Sequence, residues 1–215
     1  MSAADPFFER EGARALGEVL DVAQMPSYAY GDRSPMWWAT LGVIAIEGTV
    51  FALMAFAYFY LWSQSQSWPQ GARPPKLTWG TLNTIILLAS VLPNYWTKKA
   101  AERQDLRQVR IGMTICIVFA VAFIVVRGLE FGALNCRWDT SAYGSAVWTM
   151  LGLHTTHLVT DFLDTLVLAV LMFTGPLEGR RFVDVSENAV YWNFVVLAWL
   201  PIYAILYWAP RLSHA

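Results

Sequence analysis

One charge sits in the middle of the first apolar run of this chain. The run, MWWATLGVIAIEGTVFALMAFAYFYLW from Met36 to Trp62, carries Glu47 and no other ionisable side chain. About 20 apolar residues cross the hydrocarbon core of a bilayer, so this run spans it and holds Glu47 deep inside. A charged side chain at mid-helix costs roughly 2.5–3.5 kcal/mol on insertion scales. A carboxylate kept there needs a partner, a proton or both. The fold is constrained at once. Nothing in a bilayer core hydrogen-bonds an open backbone, so only helices and closed barrels span it. The run has no period-two alternation and is therefore read as a helix.

Four further segments follow the same pattern: about 80–96, 109–131, 143–173 and 188–208, with Pro93 late in the second and Pro201 inside the fifth as a kink site. The linkers between them carry the expected breakers, WPQGARPP, KKAAERQDLRQ, a Gly/Asn stretch ending at Asp139, and GPLEGRR. The chain is 56% hydrophobic and 14% charged, against about 25% charged in an average soluble protein. The fold class is all-α, an integral membrane bundle of five transmembrane helices. Its parts are an N-terminal arm (1–35), the helical domain (36–208) and a short tail (209–215). Leu16, Val19, Leu20 and Ala23 share a face in the arm, as in a short amphipathic helix or a tail packed on the bundle. Trp37, Trp38, Trp62, Trp96, Trp148, Trp192 and Trp208 fall near segment ends, where interfacial anchors lie.

Lys and Arg divide unevenly between the two ends of such a bundle, ten against five, the five including Arg127. The positive-inside rule places the N-terminus in the cytoplasm and the C-terminus outside. No basic region followed by a short apolar region opens the sequence, so the first span is expected to act as its own insertion signal. A net charge of −1 offers no footprint for nucleic acid. Cys116 lies in an apolar run and Cys136 in a loop, so they read as small packing residues, not a disulfide.

The fourth segment, AYGSAVWTMLGLHTTHLVTDFLDTLVLAVLMF, carries His154, His157, Asp161 and Asp164 at spacings of 3, 4 and 3. On a helix these share an arc of roughly 80°. That stripe must face another helix, a wet cleft or another subunit. Its depth matches that of Glu47, and an imidazole of His157 or His154 is the expected hydrogen-bond partner of that carboxylate. The HxxH spacing invites a metal, but zinc sites usually take a third protein ligand. A satisfied interhelical network and a role in handling protons are the other readings. The chain has 3 histidines, one of them His214 in the tail. His154 and His157 lie on one face of one helix and cannot bracket a haem. Any redox groups are expected in partner proteins.

These segments, in order, resemble the subunit III family of haem–copper oxidases. AIEGTVFALMAFAYFYLW is similar to the helix that carries an intramembrane carboxylate before an aromatic-rich stretch. LNTIILLAS, with Asn83, is similar to an LNTxILLxSS segment, and RGLEF places Glu130 at the acidic position of a QAYEY-like ending. AYGSAVWTMLGLHTTH resembles YGSxFFxxTGxHGxHV at Tyr143, Gly144, Ser145, Gly152, His154 and His157. YWNFVVLAWLPIYAILYW, with Trp192, resembles YWHFVDVVWLFLYxxxYW, with Asn193 and Val196 where the family has His and Asp. Five spans match the shorter bacterial form of the family.

The resemblance implies a non-redox accessory subunit of a respiratory terminal oxidase in the bacterial plasma membrane. Haem and copper would reside in partner subunits. The helices would form two groups around a V-shaped, phospholipid-filled cleft. The chain would pack on subunit I, and with subunit II, stabilise it during turnover and support its proton uptake. Glu47 would be the intramembrane carboxylate, with His154, His157 and Glu130 as polar companions, and Asp161 completes the polar site read from the stripe. Two alternatives remain. One is a subunit III-like accessory protein of nitric oxide reductase. The other is a stand-alone transporter or metalloenzyme built on Glu47, His154, His157 and Asp161.

Overall fold

The computed structural model describes residues 28–176 and 178–212. The segment bearing Leu16, Val19, Leu20 and Ala23, and the tail position His214, lie outside the described residues. Five long helices make up the described residues: α1 (Pro35–Ser63), α2 (Leu77–Glu102), α3 (Leu106–Gly132), α4 (Ala142–Thr174) and α5 (Gly179–Tyr203). The last continues through a π-helical turn, Ala204–Trp208, and a final turn, Ala209–Leu212. Helix α5 begins ahead of the apolar stretch at 188, because GRRFVDVSE continues the same helical face: Phe182, Val183, Val185 and Ser186 are buried.

Local chemistry sets the starts. Ser34 accepts the Met36 amide (3.2 Å) with Pro35 at the first helical position. Asp105 accepts the Gln108 amide (3.1 Å) to open α3. Ser141 accepts the Gly144 amide (3.1 Å) to open α4. Just before it, two hydrogen bonds from Arg137 hold the Asp139 carboxyl below its usual range.

Helix α2 packs between α3 and α5, α4 packs against α3 and α5, and α1 rests on α4 and α5. Four of the five helices are long and apolar enough to cross a membrane. Helix α2 is the exception by composition. Its polar side chains Asn83, Ser90, Asn94 and Thr97 are buried inside the bundle, which leaves Leu82, Ile85, Leu88 and Leu92 outward. Polar in and apolar out is the inverse of a water-soluble bundle, and the chain is a multi-pass membrane protein.

One expected anchor departs from its sequence-based role. Trp192 is no interfacial anchor; it is buried and its indole donates to Ser90 Oγ (2.9 Å). Gly152 faces open space and makes no close helix contact, whereas a side chain at Gly112 would strike Thr97 Oγ1. Close approach therefore occurs between α2 and α3. At the start of α4, a side chain on Gly144 would strike the Arg137 carbonyl, Ser145 donates to the Trp138 carbonyl (2.6 Å), and the Tyr143 ring packs edge-on against Trp68 (5.2 Å).

Candidate functional site

The polar stripe of α4 is divided between two clusters. The first gathers on the face shared by α1, α4 and α5. Tyr191 donates to one oxygen of Glu47 (2.6 Å), and His157 Nε2 stands 3.6 Å from the other. That second distance is too long for a direct hydrogen bond. The far side of the ring explains the spacing. His157 Nδ1 lies 2.7 Å from the Leu153 carbonyl, which accepts and never donates, so this nitrogen carries the hydrogen. In the neutral ring Nε2 then turns a bare lone pair toward the carboxylate. One proton between the two groups makes the contact favourable. Phe51 packs on the His157 ring at 4.9 Å and closes the pair on its inner side.

One turn further along α4, Asp161 is 2% exposed. One of its oxygens has no hydrogen-bond partner. Asn188 of α5 bridges the neighbouring carboxylates when its amide is assigned by its surroundings, with the nitrogen toward the two acceptors: it then donates to Asp161 and Asp164 at 3.2 Å each, and its oxygen accepts from Thr165 (2.8 Å). Asn188 and Thr165 also line a small inner cavity of about 20 Å³ with Ser90, Asn94, Thr97 and Cys116. It has room and polar partners for one water molecule.

The second cluster lies between α2, α3, α4 and α5. Arg127 is 1% exposed and donates to Glu130 at 2.8 Å. The sequence alone would set this pair at a membrane interface. The structure buries it, because Glu130 also accepts from Asn83 of α2 and from Tyr207 in the π-helical turn of α5. The guanidinium carbon lies 4.1 Å from the Trp199 ring and 4.8 Å from the Phe123 ring. His154 belongs here, not to Glu47. Its Nδ1 faces Arg127 at 3.5 Å, its Nε2 faces the Val195 carbonyl at 3.1 Å, and its ring lies on Trp199.

Of the sequence-chosen residues, Glu47, His157 and Asp161 thus border one face, while His154, Glu130 and Asn83 share the other cluster. Tyr143, Gly144 and Ser145 shape the start of α4, and Trp192 holds α5 to α2. Sequence reasoning passed over Tyr191, Asn188 and Tyr207, and it counted Arg127 among the charges at a membrane face. Arg127 did leave a signal, as a guanidinium inside an apolar run. Tyr191 left little, since an aromatic in a membrane helix is ordinary. Among the described residues no three His, Cys, Asp or Glu side chains come together in a set able to hold a metal ion.

The fold and the two clusters define a class: a multi-pass membrane subunit whose polar groups are turned inward into helix-to-helix networks. Within that class the assignment is specific. The family model described as cytochrome c oxidase subunit III matches residues 41–210, and the chain belongs to that family. It is 25% identical to the heme-copper oxidase subunit I+III of Aeropyrum pernix over 81% of this chain and 22% of that one. It is 25% identical to cytochrome c oxidase subunit 3 of Pylaiella littoralis over 66% of this chain and 53% of that one. With cytochrome c oxidase subunit 3 of Thermostichus vulcanus the identity is 24%, over 77% of this chain and 83% of the other. The chain thus spans about a fifth and about half of the first two relatives.

Proposed function

We propose that this chain is a non-redox accessory subunit of a respiratory haem–copper oxidase. It packs against subunit I, with subunit II in the same complex, and membrane phospholipids fill the cleft between its helix groups. Haem and copper belong to the partners. The chain sits in a bacterial plasma membrane with its N-terminus in the cytoplasm. A relative that carries subunits I and III in one polypeptide supports the contact with subunit I. So does α1, where Ile46, Leu53 and Phe56 are 62–71% exposed along a face that no other part of the described chain covers.

The Glu47–Tyr191–His157 cluster is the observation that carries the functional part of the reading. A half-buried carboxylate facing an imidazole lone pair, with a phenol on its other oxygen, can hold a proton without a fixed charge. Its role is to support proton uptake by the catalytic subunit and protect it during turnover.

Purification through a tag on this chain, in mild detergent, tests the assignment. A stoichiometric complex with haem and copper is the expected result. Haem with non-haem iron and no copper moves the chain to a nitric oxide reductase, and a colourless chain alone to a transporter or metalloenzyme. In the intact complex, Glu47→Ala is expected to leave haem content unchanged while proton uptake slows or inactivation during turnover quickens. Unchanged kinetics over many turnovers leave Glu47 a purely structural residue.

A further inference from the structure

A groove of about 580 Å³ runs along the face shared by α1, α4 and α5. It lies on the half of the bundle nearer the end where α1 begins, α4 finishes and α5 begins. Its acidic lining is graded in depth. Asp184 and Glu187 come from the first turns of α5, Asp164 and Asp161 from successive turns of α4, and Tyr191 from one turn deeper on α5. On α1, Met36, Thr40 and Val43 line it up to the turn below Glu47. Tyr191 therefore has its ring on the groove and its hydroxyl on Glu47.

Two of these carboxylates are unusual. Asp161 is 2% and Glu187 4% exposed, and each has an oxygen with no hydrogen-bond partner. Carboxylates gathered around one point would suggest a bound metal ion, but here they do not converge on one. They are spread along the path, as in a relay. The groups that face Asp161 are Asp164 on its own helix, Glu47 on α1, Cys116 on α3, and Asn188 and Tyr191 on α5; Tyr191 and Asp161 face Glu47 besides His157.

The path ends at His157. Phe51 packs on that ring, and the next imidazole, His154, has one nitrogen on the Val195 carbonyl and the other toward the Arg127 guanidinium. Leu151 and Leu158 are buried beside them on α4.

We propose that this groove is a one-sided proton well, open to the Lys/Arg-rich end of the bundle and closed beyond His157. Protons enter from water at Asp184 and pass by Asp164 and Asp161 to the hydroxyl oxygen of Tyr191. The phenol hands its own proton to Glu47 as it takes one from the groove, so it is unchanged by the transfer. Glu47 and His157 then hold the delivered proton between them. The well rests on the reading that this pair stores a proton, and adds to it the route and the side of access.

The test uses the full-length chain in its native membranes. Glu47→Gln identifies the infrared carboxylic C=O band of Glu47, and transfer into D2O times its exchange. In the wild type the band shifts promptly. Asp161→Asn and Tyr191→Phe slow the shift by about a hundredfold, the lower range for loss of a positioned proton-transfer group. In parallel, Thr160→Cys, on the groove wall at the level of Asp161, is labelled by a charged thiosulfonate from the Lys/Arg-rich end alone, with the parent chain as control for Cys116 and Cys136. Unchanged exchange in both variants overturns the route. Labelling from the opposite end, or from neither, overturns the well even if a variant fails to fold. Absence of any Glu47-dependent band removes proton storage itself, and with it the well.

Discussion

A guanidinium buried at 1% exposure in a membrane helix needs more than one reason to stay there. Arg127 has three: the Glu130 carboxylate at 2.8 Å and the faces of Trp199 and Phe123. The pair is unequal in its dependence. Without Arg127, Glu130 keeps Asn83 and Tyr207 as donors and is free to bind a proton. Without Glu130, the guanidinium keeps its charge and is left with the two rings and the neutral His154 nitrogen 3.5 Å away. Glu130→Gln is therefore expected to destabilise the bundle by about 3–5 kcal/mol, as removal of one partner from a buried pair does. Arg127→Met should cost less, and the double variant should recover part of the loss. Unfolding in detergent micelles over the full double-mutant cycle checks this, and equal losses in both single variants would refute the asymmetry. At this scale the sequence was legible where charge met hydrocarbon. Glu47 and the α4 stripe are conspicuous for that reason alone. The direction each side chain takes was not legible. His154 and His157 are one turn apart on one arc, yet they serve different clusters, because Trp199 and Arg127 claim one ring and Glu47 the other. Spacing along one helix carries no information about what the neighbouring helices present.

Helices are the most readable level in a membrane chain, since length and apolarity are imposed by the bilayer. All five emerge from the sequence, and even α2, the least apolar, is marked by its breakers and its length. What the pattern hides is contact. A glycine such as Gly152 inside a membrane helix is a candidate for close helix packing, but the crossing is at Gly112. There the α3 backbone comes so near α2 that an added methyl group would overlap Thr97 Oγ1. The hydroxyl cannot simply swing away, because it donates to the Pro93 carbonyl (2.7 Å). Gly112→Ala is thus expected to push α2 and α3 apart at a cost of about 1–3 kcal/mol, the usual range for overpacking. Thr97→Ala in the same chain should relieve most of it. Thermal unfolding followed by circular dichroism separates the cases: a Gly112→Ala protein as stable as its parent would mean that α2 and α3 tolerate a wider crossing. Pro201 acts at the same scale. It removes a backbone donor from α5, and a π-helical turn follows at Ala204–Trp208, from which Tyr207 reaches Glu130.

The whole molecule has a polarity that its helices do not have singly. Arg33, Lys98, Lys99, Arg103, Arg107, Arg110, Arg180 and Arg181 lie at the end where α1, α3 and α5 begin, and Arg10 and Arg14 precede them in sequence. At the other end are Arg73, Lys76, Arg137 and Arg211. Arg127 leaves this count once it is found inside the bundle, paired with Glu130. The contrast sharpens from ten against five to ten against four. Only charges in loops and near helix ends act on orientation, so a buried arginine has no vote. The Lys/Arg-rich end is accordingly expected in the cytoplasm, and five helices in series put the two ends of the chain on opposite sides. Alkaline phosphatase joined after Leu212 should be active and green fluorescent protein at the same position dark. The same reporters joined after Ser65, in the loop after α1, should behave as they do after Leu212, and after Gln104 the other way round. The orientation also sets the direction of proton supply. The groove opens at the basic end, so with that end inward the proposed well would supply Glu47 from the cytoplasm. A reversed reporter pattern would open the groove to the outside, and the proposed support of proton uptake would fall with the orientation.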